Sequence, residues 1–107
     1  MALSIASLPS LVVTTSGSSN AVGLIDDAYG ITLYVTTTFT STSVTVQVEP
    51  TDTGTNFVIL QSGGSNVVIT SGTATVISPV PFRQIRLATN TNEATEKTVV
   101  LTKAFLI

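Results

Sequence analysis

Few side chains in this chain could do chemistry. Its 107 residues carry six carboxylates and four basic groups, and they include neither His nor Cys. The missing residue types exclude disulfides, Cys/His zinc sites, thiol nucleophiles and a Ser-His-Asp triad. A glycosidase built on two carboxylates is chemically conceivable, but so short a chain leaves little room for a deep substrate cleft. We therefore expect no enzymatic activity, no catalytic residue and no cofactor.

The carboxylates are not spaced for catalysis or for metal binding. Asp26 and Asp27 are adjacent, and adjacent side chains of a strand point to opposite faces. A turn in which their side chains bond the local backbone is the better interpretation. Residues 49–56 (EPTDTGTN) contain oxygen ligands and a Gly, but they lack the repeated carboxylates and the closing Glu of a calcium loop. This segment predicts a hairpin turn, and no metal site is expected.

Half of the basic charge lies within four residues, at Arg83 and Arg86. Their odd spacing places the two side chains on opposite faces of an extended strand. One interpretation is a structural ion pair, with Asp26 or Asp27 as the partner. The other is a contact with a neighbouring subunit, which makes both arginines candidate partner-binding residues.

The charge balance and the N-terminal residues exclude two kinds of partner. The net charge is −2 and charged residues make up 9% of the chain, whereas binding a phosphate backbone requires clustered Lys and Arg. The first residues (MALSIASLPSLVV) lack the basic start and the uninterrupted apolar run of a secretory signal. No run approaches the ~18 apolar residues of a membrane span. We expect a soluble chain without signal peptide, nucleic acid or membrane partner.

The dominant pattern along the chain is an alternation of apolar and polar residues with a period of two. Val44, Val46 and Val48 alternate with polar residues between positions 43 and 49. This alternation is typical of strands with one buried face, and the 20 Thr are β-branched residues that suit strands. Turn residues separate further short runs at 31–36, 57–60, 67–70, 73–77, 82–88 and 98–105. The pattern predicts an all-β fold, an antiparallel β-sandwich of jelly-roll or Ig-like type.

Two local segments carry more specific predictions. Ser71 and Gly72 lie between two strand-like runs and predict a tight hairpin, with Gly72 at a positive φ. Residues 93–97 show no sustained helical pattern and predict at most one helical turn.

The first 20 residues differ from the remainder because they carry no charged side chain. We divide the chain into an extended N-terminal arm and linker at 1–20 and a β-sandwich domain at 21–107. One alternative is that the arm is an additional edge strand of the same domain. The other is that it docks on a neighbouring subunit by added main-chain pairing, in which case deleting residues 1–19 leaves the sandwich folded. The candidate partner-binding residues of the arm are Leu3, Ile5, Leu8, Leu11 and Val13.

Four segments in order carry a resemblance to a known family. They are 25–35 (IDDAYGITLYV), 39–48 (FTSTSVTVQV), 55–60 (TNFVIL) and 82–87 (FRQIRL). They resemble the small β-sandwich virion proteins of tailed bacteriophages, especially the head decoration (cement) proteins, over about residues 22–103. Those proteins carry G-I-x-L-Y-V-P, F-x-G-T-S-V-T-F-Q-V, T-x-F-x-x-L and Y-I-R-L patterns. Thr36 and Ser41 depart from the family's Pro and Gly, which is expected to alter turns without disturbing the sandwich.

The resemblance implies a structural role on the outside of a phage capsid, where the protein stabilises contacts between major capsid protein subunits. The implied partners are the major capsid protein and further copies of this chain, as a homotrimer. The implied location is the virion surface, after synthesis in the host cytoplasm. Two alternatives remain: a tail, neck or head-fiber-base component of the virion, and a carbohydrate-binding sandwich. Sugar binding needs exposed aromatic rings, which Tyr34 and Phe39 would have to supply.

Overall fold

The computed structural model describes residues 2–24, 28–51 and 55–106. These residues form strands and loops without a helix, which confirms the predicted all-β sandwich. In chain order the strands are β1 (Leu3–Ser7), β2 (Leu11–Val13), β3 (Val22–Gly23), β4 (Ala28–Tyr34), β5 (Val44–Glu49), β6 (Val58–Ile59), β7 (Gln61–Ser62), β8 (Ser65–Asn66), β9 (Val68–Ile69), β10 (Ala74–Ile77), β11 (Gln84–Thr89) and β12 (Lys97–Leu106).

The strands form two antiparallel sheets and a small hairpin. The first sheet has the order β1-β12-β4-β10, and β2 also pairs with β12. The second sheet has the order β3-β11-β5-β6, and β9 also pairs with β5. The hairpin β7–β8 turns at Gly63 and Gly64, whose φ angles are +61° and +83°, as a two-residue turn of the favoured hand requires.

The core lies between the two sheets and is built from the alternating positions that the sequence predicts. Val44 and Val46 in β5, Ile85 and Leu87 in β11, and Leu33 in β4 are all buried. Leu101 and Val99 join them from β12. Covering one such side chain contributes about 2 kcal/mol, so the paired inner faces are the main source of stability.

The turn at Gly72 differs from the prediction in one respect. Its φ of +77° confirms the expected positive angle. The hairpin is wrong, because β9 pairs with β5 in the second sheet whereas β10 pairs with β4 in the first. Alternation with a period of two marks a strand but does not state its partner, so the sequence could not distinguish a hairpin from a crossing between sheets.

The two strands within the first 20 residues, β1 and β2, pair with β12 in the first sheet of their own chain. β1 lies beside the end of β12, with Leu3 opposite Leu106, and β2 lies beside the start of β12, with Leu11 opposite Val99. The single chain therefore has the edge strand that was one of the two alternatives. The division between residues 20 and 21 stays a prediction.

Glu93 holds together two loops at one end of the sandwich. Its carboxylate accepts hydrogen bonds from the amides of Thr40 (2.9 Å) and Ser41 (2.8 Å), and from the Ser41 hydroxyl. Burial by itself would raise the pKa of Glu93, but these hydrogen bonds outweigh it and lower the pKa from 4.5 to about 2. The carboxylate is thus a structural group of the loops around β5 and β12.

The hydrogen bonds of the Glu93 carboxylate predict that the stability of the fold depends on pH. Because the pKa of Glu93 is lower in the folded chain, its stabilisation is full above about pH 4.5 and is lost as the pH falls towards 2. The variant Glu93→Gln should lower the free energy of unfolding by roughly 2 kcal/mol at pH 7, and the deficit should shrink below pH 4.5. Urea unfolding across pH 7 to 2 measures this, with the exposed Glu96→Gln as control. A deficit that is the same at pH 7 and pH 2 would contradict the assignment.

Candidate interaction surface

The side of the first sheet that faces away from the core is a continuous surface across four strands. The strand register places Ile5, Ala104 and Gly30 in one row, and Ser7, Thr102, Thr32 and Val76 in the next. A third row joins Val100, Tyr34 and Ala74. We call this surface the outer face of the first sheet; it also includes Leu3, Leu106 and Thr98.

This outer face is uncharged, and its aliphatic and aromatic side chains outnumber its four Ser and Thr residues. Ile5 is 71% exposed, Val76 69% and Val100 41%, and Leu3, Leu106 and Tyr34 are exposed beside them. Among the described residues, every side chain assigned to this face is aliphatic, aromatic, hydroxyl-bearing or absent. Exposed large aliphatic side chains grouped on one face are typical of a site that another protein covers.

The outer side of the second sheet has a different chemistry. Arg86 lies with its guanidinium 4.2 Å from the centre of the Phe57 ring, and its Nε donates to Gln47 at 2.7 Å. In the neighbouring row Glu49 is buried and accepts a hydrogen bond from the Thr51 hydroxyl at 2.6 Å. Charged groups of this sheet are held by their own chain, so the two sides of the sandwich offer different surfaces to a partner.

The predicted partner-binding residues of the arm separate into two groups. Leu3 and Ile5 are exposed on the outer face of the first sheet. Leu11 and Val13 are 0% exposed and belong to the chain's own core, and Leu8 is half-buried against it. Leu11 and Val13 are covered by their own chain, because β2 turns them inward against β12 and its neighbours. Leu8 lies between β1 and β2 and is only partly covered.

The two predicted partner-binding arginines lie within β11 of the second sheet (Arg86) and directly before it (Arg83). Arg86 occupies the outer side of β11, in contact with Phe57 and Gln47. Arg83 precedes β11 and is half-buried; its amide donates to the Glu49 carbonyl at 2.8 Å. The predicted ion-pair partners Asp26 and Asp27 lie outside the described residues, as do positions 52–54 of the loop at 49–56. That loop joins β5 to its antiparallel neighbour β6, as predicted for a hairpin connection.

Sequence reasoning missed most of the outer face and the buried charges. Val76, Val100 and Leu106 have the same residue types as the core, and only the register shows that they point outward. Lys103 is buried on the inner side of β12, with its amino group 5.1 Å from the centre of the Phe105 ring. One feature of the sequence could have indicated that Lys103 is buried: it stands among the alternating apolar residues of a single strand.

A groove of about 250 Å³ borders β10. Its lining includes Val76 and Ile77 of β10, together with Leu60, Val67 and Phe82. Within residues 2–24, 28–51 and 55–106 there is no group of three His, Cys, Asp or Glu residues that could hold a metal ion. The same residues include no helix long and apolar enough to cross a bilayer.

The two aromatic residues considered for sugar binding do not form one platform. Tyr34 is exposed on the outer face of the first sheet. Phe39 is half-buried, packs against the core and lines a separate depression with Val44 and Ile69. A sugar ring needs an exposed aromatic face to stack on, so this pair does not supply the site that the carbohydrate-binding alternative requires.

Comparison with known proteins gives a likeness of fold. No protein-family model matches the sequence, and the search of curated proteins finds no significant match. Among solved structures, the chain is similar to a Bacillus endospore appendage protein, from a family described as disulfide-linked pili. The TM-score is 0.54 at 11% identity, over 98% of this chain and 88% of that one. At this identity the likeness shows a shared sandwich architecture.

Proposed function

We propose that this chain is a structural virion protein that binds the outside of a phage capsid and stabilises contacts between major capsid protein subunits. The observation that carries the proposal is the uncharged outer face of the first sheet, where the aliphatic residues Ile5 and Val76 are largely exposed. Covering such a face with protein removes apolar area from water, which is favourable. The motif resemblance over residues 22–103 supplies the capsid as the partner.

The polar residues of the same face suit repeated contacts with a protein lattice. Thr32, Thr98 and Thr102 alternate with its aliphatic residues. Hydroxyl groups form hydrogen bonds and lose less free energy on desolvation than charged groups do. Because a capsid repeats the same surface many times, weak contacts of linked copies add up to firm attachment. The proposal therefore includes self-association, for which the resemblance implies a homotrimer.

The copy number in the particle tests this function. In purified particles of the phage that encodes the chain, quantitative mass spectrometry should find it at a large fraction of the copy number of the major capsid protein. Five, six or twelve copies would indicate a ring in the tail, neck or fiber base instead. Either that result or its absence from the particles would overturn capsid decoration.

A second candidate function is a subunit of a protein fibre, which the fold likeness to the Bacillus appendage protein favours. That protein belongs to disulfide-linked pili, whereas these 107 residues contain no Cys. A fibre of this chain would be held by noncovalent contacts along these residues. Electron microscopy of the purified chain at rising concentration separates the two candidates, because long filaments support the fibre and small closed oligomers support decoration.

A further inference from the structure

In the part of the chain that the structure describes, no strand pairs with the outer edge of β1. The Leu8 amide donates to the Leu101 carbonyl at 2.9 Å. Because hydrogen-bonded residues alternate along an antiparallel pair, this bond shows which residues of β1 are bonded to β12. Ser4 and Ala6 then face β12 with their backbone groups, while the amides and carbonyls of Leu3 and Ile5 point away from the sheet. Natural edge strands are usually blocked by Lys, Pro or a bulge, and Leu3–Ser7 contains neither Lys nor Pro.

The strand β10 is the opposite edge of the same sheet and is free in the same way. The Val35 amide donates to the Thr73 carbonyl at 2.9 Å, so Thr75 and Ile77 face β4 with their backbone groups. The amides and carbonyls of Ala74 and Val76 therefore point away from the sheet. This strand also contains no charged residue and no Pro, and the groove along it is lined mostly by apolar side chains.

The directions of the two edges are complementary. All neighbours in the order β1-β12-β4-β10 are antiparallel, so β1 and β10 run in opposite directions. When a second copy in the same orientation is placed beside the first, its β1 is antiparallel to β10. Antiparallel pairing exchanges both hydrogen bonds between opposed residues. The free backbone groups of Leu3 and Ile5 can thus meet those of Ala74 and Val76.

We propose that copies of this chain associate head to tail, with β1 of one copy paired to β10 of the next. This deepens the proposed function by naming the surface that links its copies, and it rests on the self-association proposed above. Leu3, Ile5, Ala74 and Val76 all lie on the outer face of the first sheet. The pairing therefore joins the uncharged faces of neighbouring copies into one continuous surface, and the number of copies follows from the angle between neighbours.

Two variants that each block one edge test the pairing. Ala74→Pro removes the outward amide of β10, and Ile5→Pro removes that of β1. Among the described residues, neither amide belongs to a hydrogen-bonded pair of the sheet. In sedimentation equilibrium up to about 1 mM, each variant alone should self-associate at least about tenfold more weakly than the unmodified chain. An equimolar mixture should form a one-to-one heterodimer, because each variant keeps the edge that the other lacks. Thermal unfolding checks that both variants fold.

The other outcomes overturn the pairing in distinguishable ways. If Ala74→Pro alone still dimerises, β1 pairs with itself; if Ile5→Pro alone still dimerises, β10 does. If both variants associate as strongly as the unmodified chain, neither edge belongs to the interface, although the chain still self-associates. An unmodified chain that stays monomeric would remove self-association itself, and the virion copy number would then still test capsid binding. Should a Pro variant fail to fold, Val76→Lys and Ile5→Lys provide the same comparison.

Discussion

The variant Val100→Lys is expected to weaken strongly the proposed attachment to the capsid while the sandwich stays folded. Val100 lies in the middle of the outer face of the first sheet, beside Tyr34. A Lys there would have to leave water when the capsid covers the face, and an uncompensated buried charge is costly. We expect the Kd for particles that lack the protein to rise at least about 100-fold, which is about 2.7 kcal/mol. Co-sedimentation with such particles measures the change.

The second sheet supplies a matched control. Val68 lies on its outer side, opposite Thr45, and is 47% exposed against 41% for Val100. The variant Val68→Lys introduces the same charge at a similar exposure and should bind as tightly as the unmodified chain. Equal loss of binding in the two variants would mean that net charge, rather than the first sheet, governs attachment. Unchanged binding of Val100→Lys would exclude its face from the contact.

Removal of residues 2–19 is expected to unfold the chain, whereas removal of residues 2–7 is not. The longer deletion removes β2 and with it Leu11 and Val13, both of which are completely buried. Losing both side chains costs roughly 5 kcal/mol or more, which is comparable to the whole stability of a small domain. The shorter deletion removes only β1, whose large side chains are exposed. Circular dichroism and thermal unfolding distinguish these outcomes.

The burial of Leu11 and Val13 argues against the alternative in which residues 1–19 can be deleted while the sandwich stays folded. Leu11 and Val13 belong to the core, and the Ser19 hydroxyl accepts a hydrogen bond from the Leu87 amide at 2.8 Å. Only Leu3–Ser7 has the properties of a separable segment, and the chain without it should lose head-to-tail association. A folded, cooperative 2–19 deletion would contradict the assignment of Leu11 and Val13 to the core.

The strands could be predicted from the sequence because each inner face repeats every second residue. The alternation at 43–49 marks β5, and the runs at 82–88 and 98–105 mark β11 and β12 to within two residues. The positive φ of Gly72 could also be predicted, because Gly adopts that conformation without steric cost. These features depend on neighbours along the chain, so local chemistry is enough to find them.

The interaction surface could not be predicted, because it depends on register between distant strands. Val76 lies in β10 and Val100 lies in β12, and these strands are not consecutive in the sequence. The two valines share one face of the sheet because both strands pair with β4. The residue type alone does not show whether a valine faces the core or a partner. The buried Glu93 was missed for the same reason, since its donors Thr40 and Ser41 lie about fifty residues earlier.

An electron cryo-microscopy map of the phage particle tests the central claim most directly. The account predicts sandwich-shaped density on the capsid exterior, with the outer face of the first sheet, including Ile5 and Val76, against the capsid protein. The second sheet, with Arg86 stacked on Phe57, should face solvent. A capsid without this density, or a sandwich seated on its second sheet with the first sheet in water, would contradict the account.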